Sequence, residues 1–117
     1  MNKVLVVFRQ GPYGSVYPIE AARVIQGLFV MDLKVMAVFI DDGVYSLTKN
    51  HNTEGINMQP VKLAIENMIA IDVPLYVIRE SLEERGLASE DLDFEPEIVD
   101  LETFSELILD ADSTISF

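Results

Sequence analysis

The residues best placed to do chemistry lie at a strand-to-helix junction, "LYVIRESLEERG", from Leu75 to Gly86. An apolar run ends there and a short charged helix follows at once, with Gly86 suited to the left-handed residue that stops it. In a parallel α/β sheet the carboxyl ends of the strands are where ligands and catalytic groups gather. This junction offers Ile78, Arg79, Glu80 and Ser81. A serine nucleophile needs a base within hydrogen-bond reach, and the neighbouring residues supply none. Arg79 can hold an anion at the sheet edge or pair with a nearby glutamate, and the pairing is the simpler reading.

Two other loops have the position, though not the full composition, of a site. "GPYGS" (Gly11 to Ser15) lies between the first strand and the first helix. It matches neither common phosphate-loop pattern and has no lysine. Its glycines either make a tight turn or present backbone N–H groups to a small anion. Gly11, Tyr13, Gly14 and Ser15 are therefore candidate ligand or anion contacts. "DDGVYSL" (Asp41 to Leu47) closes the second strand. Its paired acids are weak evidence for magnesium, and an Asp-Gly turn explains them more simply. Asp42 and Gly43 join the candidate contacts. Val44, Tyr45 and Leu47, with Met58 further on, are candidate oligomer contacts. His51 sits among loop-forming residues and reads as solvated.

Composition narrows the chemistry. The chain has no cysteine, which removes disulfides, thiolate metal sites and any cysteine nucleophile. With a single histidine, a multi-histidine metal site within one chain is excluded as well. Neither a metal nor a cofactor is expected. The net charge of −12 lies wholly in residues 80–117, where thirteen acids face Arg85 alone. Direct nucleic-acid binding is disfavoured, because phosphate contacts need clustered lysine and arginine. The acidic segment reads first as a solvated face and second as a surface for a basic partner.

The elements that must position these residues alternate. "KVLVVF" and "KVMAVFI" are apolar, β-branched runs of the kind covered on both faces of a sheet. Pro18 opens a helix carrying Ala21, Ala22, Ile25, Leu28 and Phe29 at helical spacing. Val24, Val30 and Met31 fall off that stripe and suggest burial on more than one side. "VYSLTKNHNTEGINMQ" shows no period and reads as a long loop. Pro60 opens a second helix with Val61, Ala64, Ile65, Met68 and Ile69 inward. "LYVI" is a third strand, "IVD" a short fourth, and "STISF" a fifth. "LETFSELILDA" is a helix with Leu101, Phe104, Leu107 and Ile108 inward. The pattern predicts one α/β domain over residues 1–117, a three-layer α/β/α sandwich on a five-stranded, mostly parallel sheet. No apolar run is long enough to span a membrane, and the opening segment is too short for a signal core, so a cytoplasmic protein is expected.

Taken together, "GPYGS" before an alanine-rich helix, "VFIDDGVYSL", "LYVIRESLEERGL" and the terminal "LILDADSTISF" resemble the DsrE/DsrF/DsrH family, most of all its DsrF, or TusC, class. The likeness runs over nearly the whole chain. It implies a small α/β/α fold that assembles as trimers, hexamers or mixed hexamers with DsrE- and DsrH-like subunits. It also implies sulfur relay, in which a cysteine persulfide is passed toward 2-thiouridine in tRNA or through sulfur oxidation. In catalytic relatives the thiol lies just after the third strand, a position that falls here on Ile78, or on Arg79 if the register slips by one. Isoleucine has no lone pair with which to attack a sulfane sulfur. The resemblance therefore implies a non-catalytic member, a structural or docking subunit. The alternative is a small-molecule or anion-binding module at the carboxyl edge of the sheet, lined by the candidate contacts above.

Overall fold

A computed structural model describes residues 3–11, 17–49 and 59–117, with side chains described outside 17–19 and 59–61. Tyr13, Gly14, Ser15, His51 and Met58 lie outside the described residues. The strands are β1 (Lys3–Phe8), β2 (Lys34–Phe39), β3 (Leu75–Ile78), β4 (Glu97–Val99) and β5 (Ser113–Ser116). They form one sheet in the order β4-β3-β2-β1-β5. Every pairing is parallel, so the expected mostly parallel sheet is parallel throughout. Between the strands run α1 (Tyr17–Val30), α2 (Gln59–Ala70), α3 (Arg79–Glu84) and α4 (Leu101–Asp110).

The two faces of the sheet are covered unequally. Strand alternation sends Val4, Val6, Phe8, Ala37, Phe39 and Val77 to one face, where they meet Ala21 and Ile25 of α1, Ile65 and Met68 of α2, and Leu82 of α3. Leu5, Val7, Val38, Ile78 and Val99 point to the other face and meet Phe104 and Leu107 of α4. A parallel sheet is stable only with both faces covered, and among the described residues the ten-residue α4 covers the second face. Phe8 and Phe39, paired across β1 and β2, stack with ring centroids 4.4 Å apart and add about 1 kcal/mol beyond their buried area.

Three helices stop in the same way. The N–H of Leu33 bonds back to Leu28, that of Val73 to Met68, and that of Leu87 to Leu82, each with a residue in the left-handed region just before it. At α3 that residue is Gly86, as its sequence suggests, but at α1 and α2 it is an aspartate, Asp32 (φ 64°) and Asp72 (φ 61°). A carboxylate at a helix C-terminus opposes the helix dipole, so glycine is the locally better choice at both places.

Several expected burials are corrected. Val30 and Met31 are 83% and 69% exposed, and Phe29 and Ile69 are 48% and 40% exposed, so α1 and α2 bury one narrow face each. On α4, Phe104 and Leu107 pack on the sheet but Leu101 and Ile108 stand in the open beside Leu109. The helical period marks an apolar stripe, and only part of that stripe meets the sheet.

Candidate functional site

The carboxyl ends of β1, β2 and β3 carry the candidate residues, and the loop after β2 holds them together. Asp41–Leu47, expected as a turn leading into a loop, is a seven-residue 3₁₀ helix. It is seated directly on the end of β1. A Cβ on Gly43 would lie 1.9 Å from the Phe8 carbonyl oxygen, so only glycine permits the approach. Val44 and Leu47, expected at a subunit contact, are instead fully buried in this chain's own core. The turn delivers its apolar side chains inward, and Tyr45 alone of that trio keeps some exposure.

Polar bonds then fix this 3₁₀ helix to α3. Asp41 has a left-handed backbone (φ 53°), and its N–H donates to the Ser81 hydroxyl at 2.9 Å. Arg85 lies across the junction. Its Nε and Nη2 donate to Asp42 Oδ1 at 3.2 and 3.0 Å, and its Nη1 donates to the Ser81 carbonyl at 3.1 Å. The Glu80 carboxylate accepts the N–H of Leu101 at 3.2 Å, which ties α3 to the first turn of α4. Asp100 caps that turn by accepting the Thr103 N–H at 2.8 Å, and this bond holds its carboxyl below the ordinary carboxylate range.

The arrangement places the sequence candidates unevenly. Gly43 is buried and serves close packing. Asp42 is engaged by Arg85. Gly11 lies beside Asp42, with space for an ordinary contact. Ile78 is fully buried and faces α4. Arg79 is exposed, with Nη2 3.8 Å from Glu80. Ser81 is buried and occupied as an acceptor, which is a structural post and not that of a nucleophile. Sequence reasoning missed Arg85. The available signal was that it is the one base among thirteen acids, although its partner lies 43 residues away.

The described residues include no group of three or more histidine, aspartate or glutamate side chains that could hold a metal ion. No helix among them is long and apolar enough to cross a membrane.

Against this geometry, the sequence model of the DsrE/DsrF-like family matches residues 2–117. The chain belongs to the DsrE/DsrF-like family. Among curated relatives, "Intracellular sulfur oxidation protein DsrF" of Allochromatium vinosum is 34% identical, with 100% of this chain and 97% of that protein aligned. "Protein TusC homolog" of Vibrio parahaemolyticus is 28% identical with both chains fully covered. Among solved structures, the ychN protein from E. coli superposes with a TM-score of 0.83 at 25% identity, covering 100% of both chains. A protein of unknown function from Methanobacterium thermoautotrophicum shares the fold, with a TM-score of 0.76 at 11% identity. The DsrF/TusC resemblance and the α/β fold read from sequence both hold. Within this DsrE/DsrF-like chain, the junction after β3 is occupied by a buried isoleucine and a buried, hydrogen-bonded serine.

Proposed function

We propose that this chain is a non-catalytic, DsrF/TusC-like subunit of a cytoplasmic sulfur-relay assembly, and that it docks and positions cysteine-bearing DsrE- and DsrH-like siblings. One observation carries the reading: the chain contains no cysteine, and the position where the family's thiol is expected holds Ile78, buried under α4. Relay needs a thiolate that attacks a sulfane sulfur and then holds it covalently. Neither Ile78 nor its neighbour Arg79 can do either.

A docking role accords with the surface. Leu101, Ile108 and Leu109 stand exposed on α4, Leu109 at 85%, beside the acids Glu102, Glu106 and Asp110. Apolar side chains grouped on an outer helix are expected where another subunit covers them. The carboxyl-edge ligand site has less support, since Ile78 and Gly43 offer almost no surface and Asp42 is held by Arg85.

The test is sulfur transfer from a labelled persulfide donor, with and without a co-purified cysteine-bearing sibling. Label is expected on the sibling alone. Stable label on this chain would overturn the proposal, as would failure of the chain to bind any such sibling when the two are co-expressed.

A further inference from the structure

The amino end of the sheet, opposite the junction just described, holds a cleft of about 400 Å³. It opens where the connections from α1 and α2 turn into β2 and β3, with Phe29, Leu33, Met36 and Tyr76 in its walls. Its volume is near the lower end of the range for small-molecule sites, and its lining is mostly apolar, as theirs is. An apolar body held among two aromatic rings, a leucine and a methionine leaves water on most of its sides, which is the chief source of affinity for such a ligand.

The charged groups of the cleft select the head of the ligand. Lys3 and Lys34 both line it, and they are direct partners in the β1–β2 register, so their side chains leave the sheet on one face, that of Leu5 and Met36. Like charges opposite each other on neighbouring strands are destabilising. One carboxylate answers the pair: Asp110, at the end of α4, bonds the Lys3 ammonium at 2.8 Å. Its carboxyl is held below the ordinary range chiefly by that bond, and to a smaller degree by the Lys34 charge. Asp112 is engaged with the Lys3 backbone, whose N–H it accepts at 2.7 Å. Lys34 has no ion pair of its own among the described residues. Two ammonium groups with one carboxylate between them leave one positive charge unmet, which suits a monoanion. A cationic head would find Asp72 at the mouth but would face both lysines. An anionic head is drawn to Lys34 and repelled by Asp72, and the two charges together fix which way round it enters.

We infer that the amino-end cleft binds a small monocarboxylic acid, with its apolar body among Phe29, Leu33, Met36 and Tyr76 and its carboxylate on the Lys34 ammonium. The site is independent of the docking role, and it lies at the other end of the sheet from Ile78.

Octanoate, an unbranched acid of suitable size, is the probe, titrated calorimetrically into the full chain beside octanol and octylamine. Octanoate is expected to saturate one site per chain. Octanol should bind about tenfold more weakly, and octylamine should not bind. Lys34→Ala changes an exposed side chain, so circular dichroism should be unaltered while octanoate binding weakens about tenfold. Lys34→Arg should keep most of the affinity, and Asp72→Asn should tighten binding severalfold by removing the repelling charge. In the wild-type chain, octanoate should move the amide resonances of Leu33–Met36 and Val73–Tyr76 and leave those of Ile78–Gly86 in place. No saturation at millimolar octanoate would overturn the inference. So would octanol or octylamine bound as tightly as the acid, an affinity that Lys34→Ala leaves unchanged, or amide shifts confined to other parts of the chain.

Discussion

The two ends of the sheet are built on different physics. At the carboxyl end, loops from separate strands are joined by directional bonds: Asp41 to Ser81, Asp42 to Arg85 and Glu80 to Leu101, with Gly43 pressed on the Phe8 carbonyl. At the amino end, α1 and α2 finish in apolar side chains that are exposed among the described residues, with a hollow between. At the first end the junction after β3 is filled by packing and internal hydrogen bonds. What the chain leaves available for contact lies at the second end and along α4. The contrast is the one the proposed docking role requires.

Breaking the carboxyl end should have the largest effects. Gly43→Ala forces a methyl into the Phe8 carbonyl, and a loss of about 3 kcal/mol or more is expected in urea denaturation, enough to threaten soluble expression. An undiminished midpoint would mean that the 3₁₀ helix does not need this close seat. Ser81→Ala leaves the Asp41 N–H without its acceptor and should cost about 1–3 kcal/mol, while Ser81→Cys, which keeps a weak acceptor, should cost less.

Ser46 tests the same region with the opposite sign. Its hydroxyl is buried and has no partner among the described residues. Ser46→Ala should therefore be neutral or stabilising by up to about 1 kcal/mol in the same titration. At the amino end, Asp32→Gly relieves a left-handed aspartate at a helix terminus, and thermal melting should show a gain of a few tenths of a kcal/mol, about the margin between backbone relief and the added chain entropy.

Acid should discriminate the two ends most finely. The carboxyls of Asp100 at the carboxyl end and Asp110 at the amino end are both held below the ordinary carboxylate range, the first by the Thr103 N–H and the second by the Lys3 ammonium. Groups with depressed folded values contribute stability that is complete above their unfolded pKa and is lost as pH falls through the folded one. Asp100→Asn and Asp110→Asn should each flatten the acid limb of the stability profile. The Asp110 effect should shrink in high salt because it is an exposed ion pair, and the Asp100 effect should persist because it is a cap. Equal salt sensitivity would erase that distinction.

Much of the fold was legible because its signals are local. The apolar runs of β1, β2 and β3, the prolines near the starts of α1 and α2, and Gly86 after α3 each act within a few residues of themselves. The family was legible because several short motifs occur in one order. The interior of the site was not. Gly43 is required by a carbonyl 35 residues earlier in the chain, and Arg85 by a carboxylate 43 residues away, and neither distance leaves a period to read. Val44 and Leu47 looked like surface contacts because a 3₁₀ turn has no helical stripe that would reveal its inward face. Leu101 and Ile108 looked buried because α4 does have a stripe, but only its middle, Phe104 and Leu107, packs on the sheet.

One pairing also bears on how the chain comes to be folded. β1 sits between β2 and β5, and the Lys3 N–H bonds to the carboxylate of Asp112, 109 residues further along. During synthesis, β1 therefore waits with one rim of peptide groups unclaimed while the rest of the sheet forms beside it. A strand of five buried apolar residues in that condition is a template for any passing extended chain. Docking of β5, a pairing of long sequence separation, is therefore the expected late step of folding.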